Sequence, residues 1–253
     1  QYAQKDARVQ VIHQKNGGLS AARNAGLDVA EGHYTLFADA DDWLEGNALE
    51  NMAGIIEIYT PDYIFGNVIY EYPDSSTTSA QISEERVNGR TREEVFQYFF
   101  TEYPDGIWAA WRNCVRTGLL LDHNLRFQPG ILCEDAEFTP RVLLAAESFV
   151  VCREPFYHYR RLRVGSIMHE DNPKRELDLL ATISQHFRMV EGLEGEKRKA
   201  GNYLTAYLAN YYAKVLLNSE HFYRGEDRRQ VRQAVKEQRY LLDKGTDRKA
   251  RAI

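Results

Sequence analysis

"HYTLFADADDWL", residues 33–44, decides how the rest of the chain is read. Tyr34 to Ala38 is an apolar run of strand type, and it stops abruptly at Asp39-Ala40-Asp41-Asp42 before Trp43. Three carboxylates this close repel one another, and burying them unpaired is costly. Either water solvates them at a loop tip, or a cation holds them together. Hard divalent cations take one or two carboxylates and complete their shell with substrate phosphates, so an Asp-x-Asp at a strand end suits a metal bridging a nucleotide diphosphate. The plain alternative is a solvated acidic turn that caps the next helix.

On either side of this stretch the pattern alternates. Residues 8–13 ("RVQVIH") read as a strand, Gly17-Gly18 break it, and a helix is predicted over 19–30 with Gly32 as its stop. A second helix is predicted over 47–59. Strand, helix, strand, helix predicts a parallel α/β sheet, whose ligands collect at the carboxyl ends of the strands. Further on, 62–72 reads as a strand and 73–90 as an exposed polar loop, and Thr91 and Glu94 have capping-box spacing. A helix is predicted to begin near Glu134, a strand to lie within 148–161, and everything from Asn172 to be helical. The expected division is an α/β part, 1–170, and a helical annex, 171–253.

Composition narrows the classes. The 253 residues are 43% hydrophobic and 27% charged with a net charge of -5, which suits a globular protein and argues against a nucleic-acid binder. Cys114, Cys133 and Cys152 form no C-x-x-C pair, so a reducing, cytoplasmic setting is expected rather than a disulfide framework. No apolar run reaches the roughly 18–20 residues that span a bilayer.

Three more constellations carry chemistry. In "QKNGGLSAARNAG" (14–26) the Gly pair precedes a helix N-terminus, whose free N–H groups attract phosphate, with Arg23 and Asn24 one turn in; a simple turn allowing close helix–sheet packing is the alternative. Glu134-Asp135 at a helix start is favourable with the helix dipole whether or not it does chemistry, and such a placement also keeps a general base ionised. "YHYRRLRVGSIM" (157–168) gathers His158, Arg160, Arg161, Arg163 and Ser166, cations and a hydroxyl that could stabilise a leaving diphosphate or simply form a solvated basic loop.

In chain order these blocks, "NGGLSAARNAGLDVAEGHYTLFADADDWL", "LRFQPGILCEDAEF" and "PFYHYRRLRVGSIM", resemble the inverting glycosyltransferases of family 2, over about residues 1–168. The resemblance implies the GT-A fold, a Rossmann-like α/β sandwich for nucleotide-diphospho-sugars. It implies a divalent cation, Mn²⁺ or Mg²⁺, held by Asp41 with Asp39 beside it. Gly18, Arg23, Asn24, Asp39, Ala40 and Asp41 would line the donor site, with UDP-sugar the expected donor. Asp42, Trp43 and Glu134 would support it or touch the acceptor, a glycan or lipid-linked hydroxyl. Asp135 would be the catalytic base, and His158, Arg160 and Ser166 would approach the diphosphate.

Family members open with an additional strand and an Asp-Asp-Gly-Ser segment for the nucleotide, and residues 1–13 correspond to the stretch just after that segment. The expectation is therefore a chain that is N-terminally truncated relative to the family. A non-catalytic GT-A-like binding or assembly protein is the competing class. An aspartyl phosphatase would want Thr or Val where Trp43 stands. The charged tail from Arg224 reads as a packed helix with a frayed end, or as a basic face for an anionic membrane.

Overall fold

A computed structural model describes residues 2–103, 105–161, 172–221 and 224–244. Among these residues six strands form one mixed sheet: β1 (Tyr34–Leu36), β2 (Trp43–Leu44), β3 (Tyr63–Tyr72), β4 (Ser75–Thr78), β5 (Asn113–Arg116) and β6 (Phe149–Arg160), in the order β1-β5-β3-β6-β2 with β4 on β3. Only β3 and β6 run parallel; the β1–β5, β3–β5, β3–β4 and β2–β6 pairs are antiparallel. The predicted parallel sheet is thus corrected. Strand β5 inserts antiparallel between β1 and β3, which a local strand–helix alternation does not reveal. Residues 8–13 are also corrected: they are exposed and join no ladder among the described residues.

The helices are α1 (Gly18–Asp28), α2 (Ala48–Tyr59), α3 (Glu84–Val87), α4 (Arg92–Gln97), α5 (Thr117–Asp122), α6 (Glu134–Ala145), α7 (Pro173–Glu191), α8 (Gly195–His221) and α9 (Gly225–Glu237). The Thr91 capping box forms as read: its hydroxyl accepts from Glu94 N–H, and Glu94 Oε2 accepts from Thr91 N–H. The stretch 73–90 is not a plain polar loop, since it contains β4 and α3 and buries Ile82 and Val87.

One device in the sheet positions the functional end. Pro155 has no N–H for the β3–β6 ladder, and the register slips there, with Gly66 opposite Cys152 but Val68 opposite Tyr157. Gly66 makes room for the bulge, because a Cβ on it would lie 1.8 Å from the Phe156 ring. Beyond the bulge, Tyr157 and His158 pair with Leu44 and Trp43 of β2, which puts the second half of β6 beside the acidic loop.

A single apolar cluster runs from the sheet (Phe65, Phe149) through α6 (Phe138, Leu143) into α7, α8 and α9 (Leu180, Leu208, Val231). The division near residue 171 stands as a proposal about element type, with helices alone beyond it among the described residues. Val231 and Val235 of α9 are buried in this core, and Ala234 packs against it. Among the described residues no helix is long and apolar enough to cross a membrane.

Candidate active site

Helix α1 buries Ser20, Arg23 and Leu27, one face at helical spacing, and this aims Arg23 inward. Its guanidinium sits over the Phe127 ring, 5.1 Å from the centroid. Phe127 in turn stacks on Phe138 of α6 and meets Phe37 edge-on, so an aromatic wedge supports the cation from below. Asn24, one residue on, both donates to the Phe127 carbonyl (2.8 Å) and accepts from its N–H (2.9 Å). The Asn24 amide thereby holds the backbone at residue 127.

Arg23 is the hub of the site. It reaches Asp39 at 3.0 Å, Glu134 at 2.8 Å and Asp135 at 2.6 Å, so the acidic turn after β1 and the acidic start of α6 share one buried cation. The side chain of Arg23 is 6% exposed, while those of Asp39, Glu134 and Asp135 keep 24%, 13% and 20%, enough to meet a ligand. Burial works against the guanidinium charge, but the three carboxylates outweigh it and hold Arg23 above its ordinary pKa.

The balance at Asp135 is the reverse. Burial pushes its carboxyl up to about 7; Arg23 opposes this, the like charge of Glu134 adds to it, the Ala110 N–H opposes it and Asp39 adds to it. One cation divided among three carboxylates does not keep all three in the ordinary carboxylate range. The outcome is a carboxylate that exchanges a proton near neutral pH, which is what a general base needs. Removing the Glu134 charge by Glu134→Gln is expected to move the ascending limb of kcat/KM to lower pH, because that charge raises Asp135; an unmoved limb in the pH–rate profile counts against the assignment.

Asp42 is held from two sides. Tyr157 Oη donates to its Oδ2 (3.0 Å), the Arg160 N–H donates to its Oδ1 (2.9 Å), and Tyr157 Oη also accepts from the Asp39 N–H (2.9 Å). Burial raises the Asp42 pKa, those two donors oppose it, and Asp41 and Asp39 add to it. Tyr157, fully buried with its own pKa raised chiefly by burial, fixes the loop that displays Asp41, half-buried, and Ala40, exposed. Sequence reading passed over Tyr157 and singled out its neighbour. The signal was present in the Tyr-x-Tyr alternation, since Tyr157 and Tyr159 share the face on which Trp111 stacks.

The described part of the basic segment lies on β6, beside β2. His158 stacks on Trp43 (4.8 Å) and has Glu71 at 2.7 Å from Nδ1 and Glu45 at 2.9 Å from Nε2, which holds its ring at the β2–β6 edge. Arg160 lies over the Trp43 indole at 5.4 Å. Ser166 and Arg163 fall outside the described residues. At the other end, Gly18 has φ +82°, is exposed, and gives its N–H to Asn16 Oδ1 (3.0 Å).

For a metal, the donor set is spare. No group of three or more His, Cys, Asp or Glu side chains among the described residues could cage an ion. Asp39 is engaged by Arg23, and Asp41 is half-buried on the same loop; a hard cation needs only one or two carboxylates where phosphate and water complete its shell.

The chain is similar to known glycosyltransferases. The sequence profile described as glycosyl transferase family 2 matches residues 1–116. The putative glycosyltransferase EpsH of Bacillus subtilis (strain 168) is 31% identical over 69% of this chain and 50% of its own length. The chain belongs to glycosyltransferase family 2. Among other family relatives, glycosyltransferase GlyG of Streptococcus pneumoniae serotype 4 is 36% identical over 67% of this chain and 58% of its own length. The chain thus spans about half the length of EpsH and somewhat more of GlyG. The crystal structure of S. aureus TarS 1-349 in complex with UDP-GlcNAc superposes with TM-score 0.64 over 92% of this chain and 61% of that one, at 18% identity, which identifies the fold as GT-A.

Proposed function

We propose that this family 2 chain transfers a sugar from a nucleotide-diphosphate donor to a hydroxyl acceptor, with inversion at the anomeric carbon, in the synthesis of a bacterial surface polysaccharide. The observation that carries the reading is the Arg23 hub, which draws two acidic motifs far apart in sequence into one cluster. Names among the relatives support it: TarS is poly(ribitol-phosphate) beta-N-acetylglucosaminyltransferase, GgaB is a minor teichoic acid biosynthesis protein, and the TarS structure holds UDP-GlcNAc.

In this mechanism Asp135 takes the proton of the acceptor hydroxyl as its oxygen bonds to the anomeric carbon from one face. The bond to the leaving diphosphate breaks on the other face, and its electron pair departs with the diphosphate. A Mn²⁺ or Mg²⁺ ion at Asp41, with Asp39 nearby, would neutralise charge on that diphosphate. Arg23 keeps Asp39 and Asp135 in fixed relation, and Tyr157 with Asp42 fixes the loop between them. A lipid-linked acceptor would bring the basic C-terminal tail near an anionic membrane surface, and the reading includes that peripheral contact.

The test is titration calorimetry of UDP into the complete gene product, with and without Mn²⁺, followed by NMR of the product anomer. Metal-dependent binding weakened at least tenfold by Asp41→Asn, and a product of inverted configuration, are the expected results. A protein that binds no nucleotide diphosphate with either cation overturns the reading.

A further inference from the structure

Helix α6 carries Glu134 and Asp135 in its first turn and has a proline, Pro140, in its interior. In an α-helix the N–H of residue 140 would bond the carbonyl of residue 136, and proline has no N–H to give. The Ala136 carbonyl, adjoining Asp135, is thus left without its helical donor. The structure supplies one from outside the helix. His186 of α7, completely buried, places Nε2 2.9 Å from the Ala136 oxygen.

The chemistry of the ring fixes the direction of that bond. A carbonyl only accepts, so Nε2 carries the proton. Burial holds the imidazole pKa down at about 4, with the Ala136 carbonyl opposing and Arg141 adding, so the ring is neutral and Nδ1 is left bare. Among the described residues Nδ1 finds no hydrogen-bond partner. A buried histidine with one nitrogen unsatisfied is a costly choice for mere filling, where a phenylalanine would leave no orphan. The one bond it makes falls on the one carbonyl of the helix that Pro140 leaves open.

We propose that His186 is a positioning residue for Asp135: it supplies the hydrogen bond that Pro140 withholds from Ala136, and so ties the acidic turn of α6 to the C-terminal helices. The inference rests on the glycosyl-transfer reading of Asp135, and it gives the helical annex a task in the reaction. The turn is held from the annex by His186 and from α1 by Arg23, so its two acids are located from two independent elements.

The pairing of a missing donor with a supplied one yields a test by rescue. His186→Phe, Pro140→Ala, the double variant and His186→Gln are made in the complete gene product, and each is measured for kcat, donor KM and thermal midpoint. His186→Phe is expected to lower kcat roughly tenfold or more, with donor KM within about twofold, because a misplaced base costs the chemical step and not donor binding. Pro140→Ala restores the backbone N–H, so in that background the same His186 change is expected to cost less than about twofold. His186→Gln, whose amide can donate from a similar position, is expected to keep most of kcat.

Equal losses in both backgrounds overturn the proposal, as does an unchanged kcat with a lowered thermal midpoint, the mark of simple packing. If His186→Phe alone fails to fold, recovery on adding Pro140→Ala supports the strut and no recovery overturns it. If no protein transfers sugar, the unsubstituted one included, the glycosyl-transfer reading fails, and the thermal cycle decides the strut by itself: additive midpoint changes overturn it.

Discussion

Asp135→Asn is expected to lower kcat by roughly 10²–10⁴-fold while leaving donor affinity nearly unchanged, the range associated with removing a general base. The side chain keeps its shape and its place beside Arg23 and the Ala110 N–H, but an amide takes no proton from an acceptor hydroxyl. The ascending limb of kcat/KM near pH 7 should vanish with it. Stability carries a second signature. The folded carboxyl titrates at about 7, above its ordinary value of 3.8, so the folded chain holds a proton that the unfolded chain releases. Its contribution is therefore complete below about pH 4 and is lost as pH rises through about 7. Asp135→Asn should flatten that part of the stability–pH curve. A variant that retains more than a tenth of kcat, or the same pH limb, would remove Asp135 from the mechanism.

Arg23→Met is expected to give the largest structural effect. It leaves Asp39, Glu134 and Asp135 facing one another without their cation, and breaking a buried ion pair in this way costs about 3–5 kcal/mol. For a chain of this size that is a fall in thermal midpoint of roughly 6–20 °C. The loss should be greatest above neutral pH and shrink in acid, where the carboxylates are protonated and no longer need a partner. It should also move the Asp135 limb further upward, since Arg23 is what opposes the rise. Arg23→Lys keeps the charge but not the planar fork that reaches three acids at once, and an intermediate loss is expected. Scanning calorimetry across pH 4–9 checks the sign, and a pH-independent loss would show that Arg23 acts through packing on Phe127 alone.

The acidic residues that meet at Arg23 were legible as motifs because each motif is local. Three aspartates after an apolar run, a Gly pair before a helix, and Glu-Asp at a helix start are each short, and their spacing carries a physical meaning in one dimension. The Thr91–Glu94 capping box formed as read for the same reason: both partners lie within one helical turn. Strand pairing is not local. Whether β5 lies antiparallel between β1 and β3 depends on which edges are free when the chain returns from α4, and residues 8–13 alternate like a strand but find no ladder. The two glutamates at the His158 nitrogens, Glu71 of β3 and Glu45 before α2, likewise come from distant parts of the chain.

By itself, then, the sequence determined which residue types stand at which ends of which elements, and with them the family and its acidic motifs. Only the tertiary structure decided who neutralises whom. That Arg23 serves Asp39, Glu134 and Asp135 together, that Tyr157 braces Asp42, and that His186 answers the carbonyl Pro140 leaves open are matters of a few ångströms between residues distant in the chain. Hydrogen bonds and ion pairs act over such distances in space, whatever the separation along the chain.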